Sequence, residues 1–144
     1  MLLKKAERRY RLRTGDYAKL AAFRRALRGF LRFSEEAAES AGLTSQHYQA
    51  MLILRAADGG EPVTINALAQ ELLIKHNSAV GLVDRLVSER LATREPSSAD
   101  RRKVELQLSA RGRDVLSKLA AVHRAELLRI GPALKRVIAQ VTRK

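Results

Sequence analysis

Between residues 64 and 112 the spacing of hydrophobic positions changes twice, and each change predicts an element. In TINALAQELLI, residues Ile65, Leu68, Ala69 and Leu72 recur three and four apart, the period of one helix face, and Thr64 stands where an N-cap hydroxyl belongs. A second helix follows in KHNSAVGLVDRLVSER, with Ala79, Val83 and Leu86 as its apolar stripe, thickened by Val80, Leu82 and Val87. Its opposite face is small and polar: Ser78, Gly81, Arg85 and Ser88 align there, with His76 and Asn77 near the helix start. After Leu91 the period drops to two, and LATRE and KVELQLS read as the half-buried strands of a hairpin. The loop between them, PSSADRR, joins turn formers to two arginines, so its tip is polar and cationic. Ser109 then caps another helix, RGRDVLSKLAAVHRAELL.

Outside this stretch the pattern is helical. Leu20, Phe23, Leu27 and Phe30 form one stripe that Leu31 broadens, and Val115, Leu116, Leu119, Val122, Leu127 and Ile130 form another. Gly131 and Pro132 predict a stop and a restart, after which Leu134, Val137, Ile138 and Val141 resume the stripe. The expected fold is mainly α with a small β-hairpin wing, a winged helix-turn-helix between two long terminal helices.

That arrangement suits DNA. A major groove admits a helix whose amide, hydroxyl, imidazole and guanidinium groups meet base edges, and small residues let the helix approach closely. The candidate reading residues are Lys75, His76, Asn77, Ser78, Gly81 and Arg85. Arginine also suits a narrow, electronegative minor groove, which assigns Arg101 and Arg102 to the wing tip. Asp100 beside Arg102 can hold that guanidinium in one direction through a charge-assisted hydrogen bond.

The run LVDRL at 82–86, the triplet Asp100, Arg101 and Arg102, the following Leu106-x-Leu108-Ser109 and Gly112 together resemble the MarR (multiple-antibiotic-resistance regulator) family of bacterial transcription factors. Upstream, GLTSQHYQAMLIL is similar to that family's second helix, and the likeness spans roughly residues 16–141. The resemblance implies a homodimer of interlocked terminal helices that sets two recognition helices in successive major grooves and two wings in flanking minor grooves. It implies a sequence-specific regulator, commonly a repressor on palindromic operators; a non-specific basic DNA-binding or interaction protein is the alternative. In these terms 1–144 is a single domain, with a basic arm at 1–15, dimerisation helices at 16–42 and 110–141, and a DNA-binding region at 43–109. Two departures stand out. Lys75 takes the place of a capping hydroxyl, so either Asn77 caps the helix or backbone geometry holds the turn. Gly81 replaces a larger side chain and lowers helix propensity by about 1 kcal/mol relative to alanine.

The resemblance also implies a pocket for a small aromatic or phenolic effector. Its candidate lining is Phe30, Phe33, His47, Tyr48 and Met51, which mix apolar with hydrogen-bonding character near the junction of the first two predicted helices. A packed core of the same residues is the competing reading.

Composition narrows the rest. The chain has 144 residues and a net charge of +13, unevenly spread. Residues 1–33 hold eleven Lys/Arg and two acids, giving +9, whereas 75–103 hold seven and four, giving only +3. The absence of cysteine excludes disulfides, thiolate zinc sites and a cysteine redox switch. No apolar run approaches the roughly 20 residues that span a bilayer, and MLLKK lacks a signal-peptide apolar stretch, so no membrane association and a cytoplasmic place are expected. His47, His76 and His123 fall on separate segments, with no HExxH pair and no glycine-rich phosphate loop, so neither enzyme activity, cofactor nor metal is expected. Glu35, Glu36 and Glu39 read as a solvated acidic patch, and Asp84 as an ion-pair partner.

Overall fold

The computed structural model describes residues 1–143, apart from the side chain of Arg8. In chain order the elements are α1 (Leu2–Arg9), α2 (Thr14–Glu39), α3 (Ser45–Ala56), β1 (Val63–Thr64), α4 (Ile65–Leu72), α5 (His76–Ser88), β2 (Ala92–Pro96), β3 (Val104–Leu108) and α6 (Ala110–Thr142). The chain divides into two compact units, Met1–Phe33 with Ala125–Lys144, and Ser34–Arg124.

The Ser34–Arg124 unit is built on the expected reader. Thr64 caps α4 by accepting the Ala67 N–H at 3.1 Å. Thr44 and His47 close a capping box on α3, each side chain accepting the other's backbone N–H. The hairpin pairs Ala92 with Leu108 and Pro96 with Val104, and a third strand joins it: β1 sets Val63 against Leu106, giving the order β1-β3-β2. Two residues are too short a run to show any alternation, which is why β1 is silent in the sequence. Met51, Leu68, Val83 and Leu86 are the largest fully buried side chains, and Leu54, Leu106, Leu108 and Leu116 surround them. Helices α3, α4 and α5 thereby share one core with the sheet. Burying a leucine or methionine in this way stabilises the unit by about 1.5–3 kcal/mol per side chain.

Both helices of the reader end without glycine. Leu73 after α4 (φ 55°) and Arg90 after α5 (φ 60°) are left-handed. Each sits in a Schellman turn: Leu73 N–H donates to Gln70 O and Ile74 N–H to Ala69 O, while Arg90 N–H donates to Val87 O and Leu91 N–H to Leu86 O. The left-handed region costs a non-glycine residue about 1–2 kcal/mol, which the two hydrogen bonds and the burial of Leu91 offset. At α6 the close fit is the glycine's: a Cβ on Gly112 would stand 1.9 Å from Leu91 O. Ser109 fixes this junction, its hydroxyl donating to Arg90 O at 2.6 Å and accepting the Gly112 N–H at 2.9 Å.

In the other unit one sequence expectation is corrected. The stop and restart expected at Gly131 and Pro132 does not occur, since α6 runs through both without a break; the segment expected as a basic arm holds the helix α1. Pro132 removes one helical hydrogen bond, yet Leu127, Ile130, Leu134, Val137 and Val141 stay in phase across it, so the apolar stripe favours one continuous helix. Among the described residues no hydrophobic side chain of this unit is fully buried.

Candidate nucleic-acid interface

Helix α5 opens without a side-chain cap. Lys75 holds the N-cap position in an extended conformation and its side chain makes no capping bond, so the turn between α4 and α5 rests on backbone geometry at Leu73 and Ile74. One polar pair spans that turn: His76 Nδ1 lies 2.6 Å from Asn66 Oδ1 on α4. Ala79, Leu82, Val83 and Leu86 turn into the core, which leaves His76, Asn77, Ser78 and Gly81 exposed on the other side. No atom lies within 4 Å of a Cβ built on Gly81, so folding does not require glycine there; its effect is to keep the outer face low.

Arg85 stands apart from this group. It is exposed on the last turn of α5, donates to Gly42 O at 3.2 Å and pairs with Glu89 at 3.1 Å. Asp84, expected as an ion-pair partner, meets Arg94 of β2 and so ties the helix to the wing.

The wing tip is organised by Ser97 and Asp100. Ser97 is buried; its hydroxyl accepts the N–H groups of Ala99 and Asp100, and its own N–H donates to Lys103 O at 2.9 Å. Asp100 accepts Arg102 N–H at 3.0 Å and Nε at 3.2 Å, and these bonds hold its carboxyl below the usual carboxylate range. The guanidinium of Arg102 is thus oriented while its side chain stays 91% exposed. Arg101 is exposed beside it. The tip therefore presents cations on a hydrogen-bonded frame, the form in which charge can enter a groove at low ordering cost.

The candidate effector residues fall in both units. Phe30 and Phe33, in Met1–Phe33, are half-buried. Tyr48 and Met51 are core residues of the other unit, and His47 is occupied by the α3 cap, its Nδ1 lying 2.7 Å from Thr44 Oγ1. Burial, reinforced by the charge of Arg85 and opposed by that of Glu35, lowers the pKa of His47, while burial raises that of Tyr48. Tyr48 stacks on His123 with ring centroids 4.0 Å apart, and His123 Nε2 lies 2.9 Å from Ser34 Oγ. Sequence reasoning missed this cluster, since 89 positions separate Ser34 from His123 and neither carries a local signal. Two clefts of about 720 and 700 Å³ lie around Tyr10, Arg11 and Leu12 in the first unit and include none of the five candidates. Among the described residues no cluster of three His, Asp or Glu could hold a metal ion, and no helix is long and apolar enough to cross a membrane.

A family model described as MarR family matches residues 41–103, from the turn before α3 to the end of the wing loop, just before β3. No curated protein matches the sequence. Among solved structures, AbsC, a MarR family transcriptional regulator from Streptomyces coelicolor, is similar at 21% identity and a TM-score of 0.72, over 83% of this chain and 80% of that one. MepR, a transcription regulator of the Staphylococcus aureus multidrug efflux pump MepA, matches at 14% identity and a TM-score of 0.70, over 83% of this chain and 96% of that one. A MepR–DNA complex from the same organism matches at 16% identity and a TM-score of 0.66, over 76% and 78% of the two chains. At these identities the structures share a fold, the mainly helical winged helix with its three-stranded antiparallel sheet.

Proposed function

We propose that this chain, whose residues 41–103 match the MarR family model, is a DNA-binding transcriptional regulator that reads a palindromic operator as a homodimer and represses from it. The observation that carries the reading is the face of α5: His76, Asn77, Ser78 and Gly81 are exposed together on the side away from the core, on a helix tied to an arginine-tipped wing by Asp84 and Arg94. A helix with a small polar outer face and a packed inner face is what a major groove accommodates. In this reading Lys75 approaches phosphate, His76, Asn77 and Ser78 meet base edges, Gly81 permits close approach, and Arg101 and Arg102 enter the minor groove. Arg85, already bonded to Gly42 and Glu89, contacts DNA only with a rearrangement of those bonds.

Dimerisation is supported by what the terminal helices leave uncovered. Leu20, Leu31, Leu127, Leu128 and Ile138 are all at least 40% exposed, and an apolar surface of this kind favours a partner. A symmetric dimer sets half-site centres about one helical turn apart. The finer step, release from DNA by a small aromatic or phenolic carboxylate, is supported by the family resemblance, and requires an effector that binds the two spacings of the recognition helices unequally.

Equilibrium binding to the duplex upstream of the chain's own gene, against a scrambled duplex at two salt concentrations, tests the regulator. A specificity ratio far above one at both salts is expected; a ratio near one establishes the non-specific alternative. Light scattering should give twice the 16.1 kDa chain mass, and Leu128→Glu with Ile138→Glu should lower it to the monomer. A parent that is monomeric at micromolar concentration overturns the dimer.

A further inference from the structure

The hydrogen bond across the turn between α4 and α5 fixes more than the turn. Asn66 Oδ1 can only accept, so at 2.6 Å the shared proton sits on His76 Nδ1. In the neutral imidazole this leaves Nε2 with a bare lone pair, and both side chains are exposed on the reader rather than spent in the core. Phosphate oxygens are acceptors and offer such a nitrogen nothing. In the major groove the donors on base edges are the amino groups of adenine N6 and cytosine N4, whereas guanine N7 and O6 and thymine O4 only accept. We propose that His76 is a specificity-determining residue that accepts a hydrogen bond through Nε2 from an amino-bearing base, adenine or cytosine, at one position of each half-site, and that Asn66 is a positioning residue that sets the tautomer. This deepens the regulator reading and rests on it. It gives α4 a part in sequence choice without any contact of its own with a base.

The geometry also separates His76 from its neighbours on α5. Lys75 can only donate, and Asn77 and Ser78 can donate or accept and so tolerate either polarity at a base edge. The Nδ1-protonated ring alone in this group is restricted to acceptance, so it discriminates by polarity. Replacement of the selected amino group by an acceptor would set two lone pairs against each other and cost affinity.

The test is binding-site selection from random duplexes, followed by equilibrium binding, with the parent chain, His76→Phe, Asn66→Ala and the double variant, each checked for an unchanged melting temperature. The parent is expected to select adenine or cytosine at one symmetric position and to lose about fivefold in affinity when that base is exchanged for guanine or thymine. His76→Phe keeps a ring but no acceptor and should abolish that discrimination while leaving the other selected positions intact. Asn66→Ala frees the ring to take either tautomer and should weaken the discrimination in the parent, yet change nothing further in the His76→Phe background. A merely structural Asn66 would act equally in both backgrounds, which overturns its positioning role. Sequence preference that survives His76→Phe unchanged at every position overturns the base contact while the regulator stands; a parent with no preference anywhere removes both.

Discussion

The two units divide charge and core almost completely. Residues 34–124 hold twelve Lys/Arg and twelve acids, a net charge of zero, so residues 1–33 and 125–144, with sixteen and three, carry the whole +13. Burial is the reverse: among the described residues every fully buried hydrophobic one, from Ala38 to Leu119, lies in the neutral unit. A neutral unit that holds the buried core brings little net electrostatic pull to DNA. A strongly cationic unit with exposed leucines needs partners for both properties, an apolar one for its stripes and an anionic one for its charge. In the proposed reading base selection falls to the neutral unit, with Lys75, Arg101 and Arg102 as its cations, and the excess charge of the helical unit adds long-range attraction.

The largest effect expected is on the neutral unit. Gly112→Ala drives a Cβ into Leu91 O where both backbones are fixed, and should cost about 3 kcal/mol in a denaturant or thermal melt. A variant as stable as the parent would show that the junction of wing and α6 can give way, and that this unit is less rigid than its core suggests. Charge is the next lever. Replacing Arg9, Arg11 and Arg13 by glutamine should reduce affinity for duplex DNA at low salt and flatten log affinity against log salt by about 0.9 for each phosphate no longer neutralised. A slope equal to the parent's would assign the excess charge of the helical unit to something other than DNA.

A pH titration sharpens the comparison from the side of the core. The pKa of His47 is depressed in the folded state, so the stability it contributes is complete above its ordinary value of 6.5 and is lost as pH falls through the folded value. Protonation would also remove the Nδ1 acceptor that caps α3. Melts of the parent should weaken as pH falls below 6.5 towards the folded value, and His47→Gln, which can still accept at the capping position, should flatten that part of the curve. The smallest effect belongs to the tie between helix and wing. Asp84 and Arg94 are both at least a third exposed, so Arg94→Ala should cost about 0.5 kcal/mol or less in stability. Any change in DNA affinity beyond that would mean the bridge sets the angle of the wing.

What was legible follows from the range of the interactions. The caps at Thr64 and Ser109 and the clamp of Asp100 on Arg102 act over two or three residues, and each was readable from local spacing. The apolar faces of α4, α5 and β3 were legible for the same reason, because a half-buried element must repeat its pattern. The ends of the reader helices were not. Glycine is the usual mark of a left-handed cap, and Leu73 and Arg90 reach that conformation because a Schellman turn and the packing beyond it stabilise the turn. Pro132 misled in the opposite direction, since an in-phase stripe outweighed one missing hydrogen bond.

The sequence by itself determined the order of helices and hairpin, the identity of the core face, the fixed charge of the wing and the uneven spread of charge along the chain, because each depends on neighbours in the chain. Only the tertiary structure decided that β1 joins the hairpin, that Tyr48 stacks on His123, that Arg85 bonds to Gly42 rather than standing free, and that Asn66 meets His76. These pairs bring together residues on different elements, and no local pattern records a partner that folding alone supplies.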